Sequence, residues 1–521
     1  MNNKILPVCS VQKYCYDILG EGKAEVIIDS NPLHIPIAAV FSMAARKNSK
    51  RGFLFVSKII GKHIPVQPLI PLLGGAALAQ RYVNIVYGQT LYEQHCDFAQ
   101  AFSDAASQQT CWEYIANHPL PLPERTLFIG FAETATALGH AIFACFADNA
   151  RYIHTTREVV AGSRDVLDFV EEHSHAPDHR CYAVDSGLFD NNDRIILIDD
   201  ELTTGKSALN FIRVIQRQYP RKQYAVLSIL DWRSPEDRRS LAAVEQELGI
   251  SIEVIALVSG RITISNSLVE SCQEPKHKEK EIDKRQPLVE TIILEKPLGA
   301  VKRFSAQAIC GAADIVYLQA TGRFGLTSAE QAELEMSFRE AGLFLQRNRQ
   351  GSRVLCLGTG EFMYIPFRIA QYMGEGVVVQ STTRSPIVPA ERDGYGVKQA
   401  ITFQNPEDLS QVNYVYNIEP GYYDEVYIFF EREIAPAQLR SLTTAFEAMA
   451  VPRLCLVFCT ALQQLPVIPP PGPIGSYRPE DVTFLLKDVG DMLEEVATQD
   501  REVAIQSGRH YSEMLPLEYR P

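Results

Sequence analysis

The chain has 521 residues, 46% of them hydrophobic and 22% charged, the balance of a folded globular protein rather than a disordered or collagen-like one. Its length predicts several domains. Lys and Arg total 50 against 63 Asp and Glu, a net charge of −13, so the broad positive surface that DNA or an anionic membrane requires is missing and any anionic ligand must be held by a local site.

The first twenty residues hold a short apolar stretch, Ile5 to Val11, broken by Pro7 and Ser10, which is no secretory core; nor does any apolar run reach the roughly 18 residues of a membrane span. The expectation is a cytoplasmic protein with no membrane association. Eleven cysteines without a CxxC pair predict buried, reduced thiols rather than a disulfide framework or a zinc knuckle. Residues before Thr126 are expected to form a hood. Within it, Ser57 to Val66 and Leu72 to Gln80 either line a pocket or serve surface-loop and helix-packing roles.

From Thr126 onward, short β-branched runs alternate with helical segments. Thr126 to Gly130, Arg151 to His154, Arg194 to Ile198 and Tyr224 to Leu230 are predicted strands of a first half. Arg353 to Leu357, Gly376 to Gln380, Glu425 to Phe430 and Leu454 to Cys459 are those of a second. The alternation predicts an α/β protein with parallel sheets. The mixed-charge stretch Ser271 to Pro287 reads as a linker, and the proline-rich stretch within 466–475 as a stiff spacer. The predicted divisions are 1–270, 271–287, 288–465, 466–475 and a tail over 476–521.

The halves share landmarks in the same order. Leu127 to Glu133 and then Thr155-Thr156-Arg157 match Leu355 to Glu361 and then Thr382-Thr383-Arg384. Ile195 to Leu202 matches Tyr427 to Ile434, with Asp199 over Glu431 and Glu201 over Glu433. An internal duplication is expected.

Chemistry concentrates in Asn192 to Leu209, NDRIILIDDELTTGKSAL. Two adjacent carboxylates at the carboxyl end of a parallel strand face the crevice where α/β proteins bind ligands. The next turn, Thr203 to Ser207, offers amides and hydroxyls at a helix N-terminus to a phosphate. Such a set suits a ribose 5-phosphate. A Walker A loop would need glycine where Asp200 stands, so the Gly-Lys-Ser ending does not make this a P-loop.

The segment resembles the phosphoribosyl pyrophosphate (PRPP) signature of type I phosphoribosyltransferases. The resemblance implies that Asp199 and Asp200 hold the ribose hydroxyls and Mg2+ through PRPP, while Thr203, Thr204, Gly205, Lys206 and Ser207 cradle the 5-phosphate. It also implies that Gly130, Glu133 and Thr134 form the pyrophosphate loop and that Arg157 pairs with pyrophosphate, completing the catalytic set with Asp199 and Asp200. The family carries a mobile lid where this chain has Val159 to Asp185. Its Glu172, His173 and His175 are candidates for acting on substrate, with metal ligation and a solvated loop as alternatives. Trp232, after the strand that borders the base in this family, either stacks on a base or covers the sheet.

The second half has Ala435 to Leu439 where the phosphate turn stood, and Pro436 removes an amide donor. Its Thr383-Arg384-Ser385-Pro386 resembles the motif of the TRSP domain, found after phosphoribosyltransferase domains in bacterial tellurium-resistance-associated stress operons. Gly358, Gly360, Glu361, Thr383, Arg384 and Ser385 are its candidate anion site, independent of the first; a purely scaffolding half is the alternative. A methyltransferase reading of Val354 to Glu361 fails because Met363 and Gln380 stand where a glycine and an acid are needed. The tail resembles the opening segment of a companion protein of the same operons, and an operon-encoded partner would dock there.

The resemblance therefore implies two tandem phosphoribosyltransferase-like α/β domains, the second degenerate, followed by a short tail. The implied activity is transfer of ribosyl 5-phosphate from PRPP, with Mg2+, to a nitrogenous base, giving pyrophosphate and a nucleotide-like stress metabolite. The alternative is a non-catalytic nucleotide sensor. The base and the oligomeric state are left open, a homo-oligomer included.

Overall fold

The computed structural model describes residues 12–460 except 20–21, 48–51, 159, 161–165, 170–178, 184, 265–285, 295–297, 299–300 and 309–310. Both predicted linkers, for the most part, and the tail therefore lie outside the described residues. Before the first linker come β1 (Gln12–Ile18), β2 (Gly22–Ser30), the hairpin of β3 (Phe41–Ala45) and β4 (Phe53–Ser57), β5 (Thr126–Gly130) and β6 (Ala150–His154). They are followed by the pair β7 (Val166–Phe169) and β8 (His179–Tyr182), then β9 (Arg194–Leu202), β10 (Gln223–Asp231) and β11 (Ser251–Ile264). After it come β12 (Leu288–Ile293), the hairpin of β13 (Val301–Ala308) and β14 (Gly311–Leu318), β15 (Leu326–Thr327), β16 (Val354–Gly358) and β17 (Val377–Ser381). The hairpin of β18 (Ala400–Asn405) and β19 (Asp408–Tyr416), β20 (Glu425–Phe430) and β21 (Arg453–Phe458) complete the set.

One sheet runs β1-β2-β11-β10-β9-β5-β6-β15, parallel from β11 to β6 and antiparallel toward both ends. The other, β12-β21-β20-β16-β17, is parallel throughout. Every residue of β5, β16, β20 and β21 is buried, which is why these strands read as unbroken apolar runs: parallel sheets are covered on both faces.

The order β6-β5-β9-β10 recurs as β17-β16-β20-β21. Thr126 pairs with Ala150 and Arg194, and Val354 with Val377 and Glu425. The turns repeat as well. Thr155 N–H donates to Gly130 O at 2.9 Å and Thr382 N–H to Gly358 O at 3.0 Å; Ala132 N–H reaches Thr155 Oγ1 and Gly360 N–H reaches Thr382 Oγ1, both at 2.9 Å. This ladder corrects the sequence match by one residue, setting Glu431 at the place of Asp200 and Phe430 at that of Asp199. An unbroken apolar strand carries no alternation to fix such a register.

Each half covers the other's sheet edge. β15, from the second half, pairs with β6 through Leu326 and Tyr152. Val66, from the first, exchanges hydrogen bonds with Val379 of β17 at 3.0 and 2.7 Å. Covering both edges removes two templates for unwanted strand pairing. Helix Leu69–Tyr87 is long and apolar enough to cross a membrane by length and composition, yet 78% of that stretch is buried within the fold. A Cβ on its Gly75 would lie 2.6 Å from Ala141 Cβ, so glycine lets it approach helix Ala135–Phe143. Leu72 to Gln80 thus serves helix packing. Among the described residues all cysteines are free, and all but Cys15 are buried.

Candidate functional site

β9 delivers the acidic pair to the carboxyl edge of the first sheet. Asp199 and Asp200 are each half-buried, and Asp200 N–H donates to Asp199 Oδ1 at 2.9 Å. Burial, and then the charge of Asp200, hold the Asp199 carboxyl well above its ordinary value. After three residues beyond β9 the chain enters helix Lys206–Gln218. Its N-cap, Gly205, sits at φ 76°, and Thr203, Thr204 and Lys206 are exposed. The Lys206 N–H donates to Thr204 Oγ1 at 3.3 Å. The acidic pair and the helix start thus lie at the same end of β9.

Gly130 closes β5 where a Cβ would fall 2.7 Å from Ala135 O, and the loop after it carries Glu133 and Thr134. Glu133 is buried against Lys62, 2.7 Å from Nζ to Oε1. Burial works against the carboxylate, but Lys62 overrides it and holds the Glu133 carboxyl below its ordinary value. Lys62 itself is lowered, first by burial, while the charges of Glu133 and Asp200 oppose that shift. Sequence reasoning named the segment Ser57 to Val66 but not this lysine. A lysine amid the apolar residues of Ile59 to Val66 was the available signal.

Arg157 is exposed, in a cleft of about 160 Å3 between the halves that Glu133, Glu361, Arg384, Asn413 and Arg432 also line. Arg384 Nε lies 3.8 Å from Glu133 Oε2, so the second-half arginine belongs beside the first half's loop and not to a separate site. Gly358, Gly360 and Glu361 form the turn after β16, with Gly360 at φ 54°. Thr383 and Ser385 are spent on the β18–β19 hairpin. Thr383 exchanges backbone hydrogen bonds with Tyr414 at 2.9 and 2.7 Å, and Ser385 O accepts from the Tyr416 hydroxyl at 2.7 Å. Neither of them lines the cleft that Arg384 lines.

In the second half the acid at the end of β20, Glu431, is already paired, although it and Arg323 line the same cleft. Arg323 forms ion pairs with both oxygens of Glu431 at 3.0 and 2.8 Å, and Leu318 N–H donates to the same carboxylate at 2.9 Å. Helix Pro436–Glu447 begins at Ala435 with no side-chain cap. Trp232 also departs from expectation as a base platform: it is 5% exposed and stacks on Phe55 of the β3–β4 hairpin, with centroids 4.8 Å apart. A tryptophan at a strand end has the same sequence signature whether its face is open or covered by a hood. Glu172, His173 and His175 lie outside the described residues.

Residues 40–261 match the family described as "Phosphoribosyl transferase", residues 320–446 the "TRSP domain C terminus to PRTase_2", and residues 475–521 the "Tellurite-like stress resistance cysteine protease StiP". The last stretch contains no cysteine. No curated protein gives a significant match. Among solved structures, the chain is similar to adenine phosphoribosyltransferase from Trypanosoma brucei at 15% identity, covering 49% of this chain and 90% of that one, with a TM-score of 0.29. It is similar to the enzyme from Giardia lamblia at 15% identity, covering 31% and 84%, with a TM-score of 0.22. The three family matches fall along the sequence in the order that its motifs suggest, a phosphoribosyl transferase match followed by a TRSP match and then the tail.

Proposed function

We propose that the first half transfers ribosyl 5-phosphate from PRPP to a nitrogenous base in a cytoplasmic stress pathway, making a nucleotide-like metabolite. The observation that supports this reading is that Asp199 and Asp200 lie near the end of β9 and that the Gly205 turn starts a helix three residues past that end. Asp199 and Asp200 accept hydrogen bonds from the ribose hydroxyls. The amides of the Thr203–Ser207 turn hold the 5-phosphate. Arg157 pairs with the diphosphate. The bond between ribose C1 and the diphosphate oxygen breaks, pyrophosphate leaves with the electron pair, the base nitrogen bonds to C1 with its own lone pair, and the proton of an N–H base passes to pyrophosphate or water. Catalysis on this account is electrostatic: cations and amides are set in advance where negative charge collects.

The residues fit Mg2+ in the manner expected of a substrate-bridging ion. Asp199 and Asp200 are adjacent oxygen donors whose mutual repulsion a cation relieves, and no group of three or more potential metal ligands occurs among the described residues. A Mg2+ held by Asp199 and Asp200 would supply positive charge against that of a departing pyrophosphate. The division at 271–287 and 466–475, and descent of the second half from a duplicated first, are part of the same reading. They are supported by the repeated strand order.

The test is pyrophosphate release from PRPP and Mg2+ across a panel of nucleobases, with Asp199→Asn/Asp200→Asn as control. Release with at least one base, absent in the folded double variant, supports the assignment. PRPP binding without release from any base means a sensor. Wild-type PRPP affinity in the double variant removes the site.

A further inference from the structure

The second half grips the loop that carries Arg157. Glu361 Oε1 accepts the Arg157 N–H at 2.8 Å, and its Oε2 accepts the Thr156 hydroxyl at 2.6 Å. Glu158, the next residue, is held by Arg432 at 2.8 Å and by the Tyr317 hydroxyl at 2.7 Å. Within the loop, Glu158 N–H donates to Thr156 Oγ1 at 3.1 Å. Three consecutive residues are thus fixed from outside their own sheet, and the Arg157 side chain stands exposed between two anchored neighbours. The second half's own acid at the end of β20, Glu431, is meanwhile engaged by Arg323.

We infer that Glu361 is a positioning residue for the first half's diphosphate subsite. It fixes the backbone at Arg157 so that the guanidinium meets a diphosphate without first being ordered, and the second half acts as a permanent built-in partner of the first. Preorganisation of this kind raises affinity by removing an ordering cost from the binding step. The inference rests on the phosphoribosyl reading above.

Charge and position predict opposite signs. Glu361 is an anion beside a site for an anion, so if only its charge mattered, its removal would tighten diphosphate binding. If it positions Arg157, removal weakens it. The experiment is calorimetric titration of the full chain, with Mg2+, by inorganic pyrophosphate and separately by ribose 5-phosphate.

Glu361→Ala is expected to bind pyrophosphate at least about tenfold more weakly, while ribose 5-phosphate, held at Asp199 to Ser207, stays within about twofold. Glu361→Gln keeps an acceptor for the Arg157 N–H but loses the charge, and is expected to fall about threefold; it decides the matter if the alanine variant does not fold. Unchanged or tighter pyrophosphate binding in the deciding variant overturns the inference, as does equal loss of both ligands. Wild-type protein that binds neither ligand overturns the phosphoribosyl reading itself, and this inference with it.

Discussion

Arg323, in the turn before β15, and Glu431, at the end of β20, form an ion pair at 2.8 Å with side chains only 4% and 3% exposed. Both side chains also line the cleft between the halves. Glu158, from the first half, adds a weaker contact at 3.9 Å, so the pair also ties the halves together.

Removing one member of a buried pair leaves the other charge uncompensated, at a cost of about 3–5 kcal/mol. Arg323→Ala should therefore lower the urea midpoint markedly, whereas Arg323→Met combined with Glu431→Leu should recover most of the loss. Equilibrium unfolding measures both. A shift in Arg323→Ala of less than about 1 kcal/mol would mean that water, not Arg323, satisfies Glu431.

Gly205 is the second test. At φ 76° a side chain costs about 1–2 kcal/mol. A Cβ there would also lie 3.2 Å from Arg233 Cδ. Arg233 has little freedom to yield, since it is buried and bonded to Asp231 at 2.9 Å through both Nε and Nη2. Gly205→Ala should destabilise the chain by about that amount and weaken ribose 5-phosphate binding, read by thermal unfolding and calorimetry. Full ribose 5-phosphate affinity in the variant would detach this turn from the phosphate.

The third concerns pH. Asp199 is raised in the fold above its unfolded value of roughly 3.9. Between those two values the folded protein holds a proton that the unfolded chain has lost, so this group's contribution to stability falls as pH rises through the window. Asp199→Asn removes the penalty. The variant should be more stable than wild type at neutral pH, with the advantage shrinking in acid, as a series of Tm measurements would show. A difference independent of pH would mean that Asp199 keeps an ordinary carboxyl.

How much of this was legible beforehand follows from what each element must bury. TLFIG and EVYIFF announce strands because a parallel strand covered on both faces is apolar at every position. The same uniformity hid the register and placed Glu431 one residue out. β15 has only two residues, and its pairing with Tyr152 depends on the second half reaching across the first, which no local pattern records. The acidic pair and the Gly205 turn were legible because their chemistry is contiguous in the chain. Lys62 joins Glu133 across 71 residues and Glu361 joins Thr156 across 205, and these contacts are products of the fold alone.

The sequence treated Arg384 as a member of a separate site, so that Arg384→Ala would leave the first site unchanged. The structure reverses that expectation, with Arg384 Nε 3.8 Å from Glu133 Oε2 and the Glu133 carboxylate also bound to Lys62. Residues that share a partner are coupled, typically by about 0.5–3 kcal/mol, and a contact this long with Arg384 about one-third exposed belongs at the low end. Arg384→Ala should weaken PRPP binding severalfold by freeing Glu133 to turn its charge toward the diphosphate. Glu133→Gln removes that charge, so adding Arg384→Ala to it should cost little more. The double-mutant cycle, read by PRPP calorimetry, measures the coupling directly. Strictly additive effects would restore two independent sites and confine Arg384 to the second half.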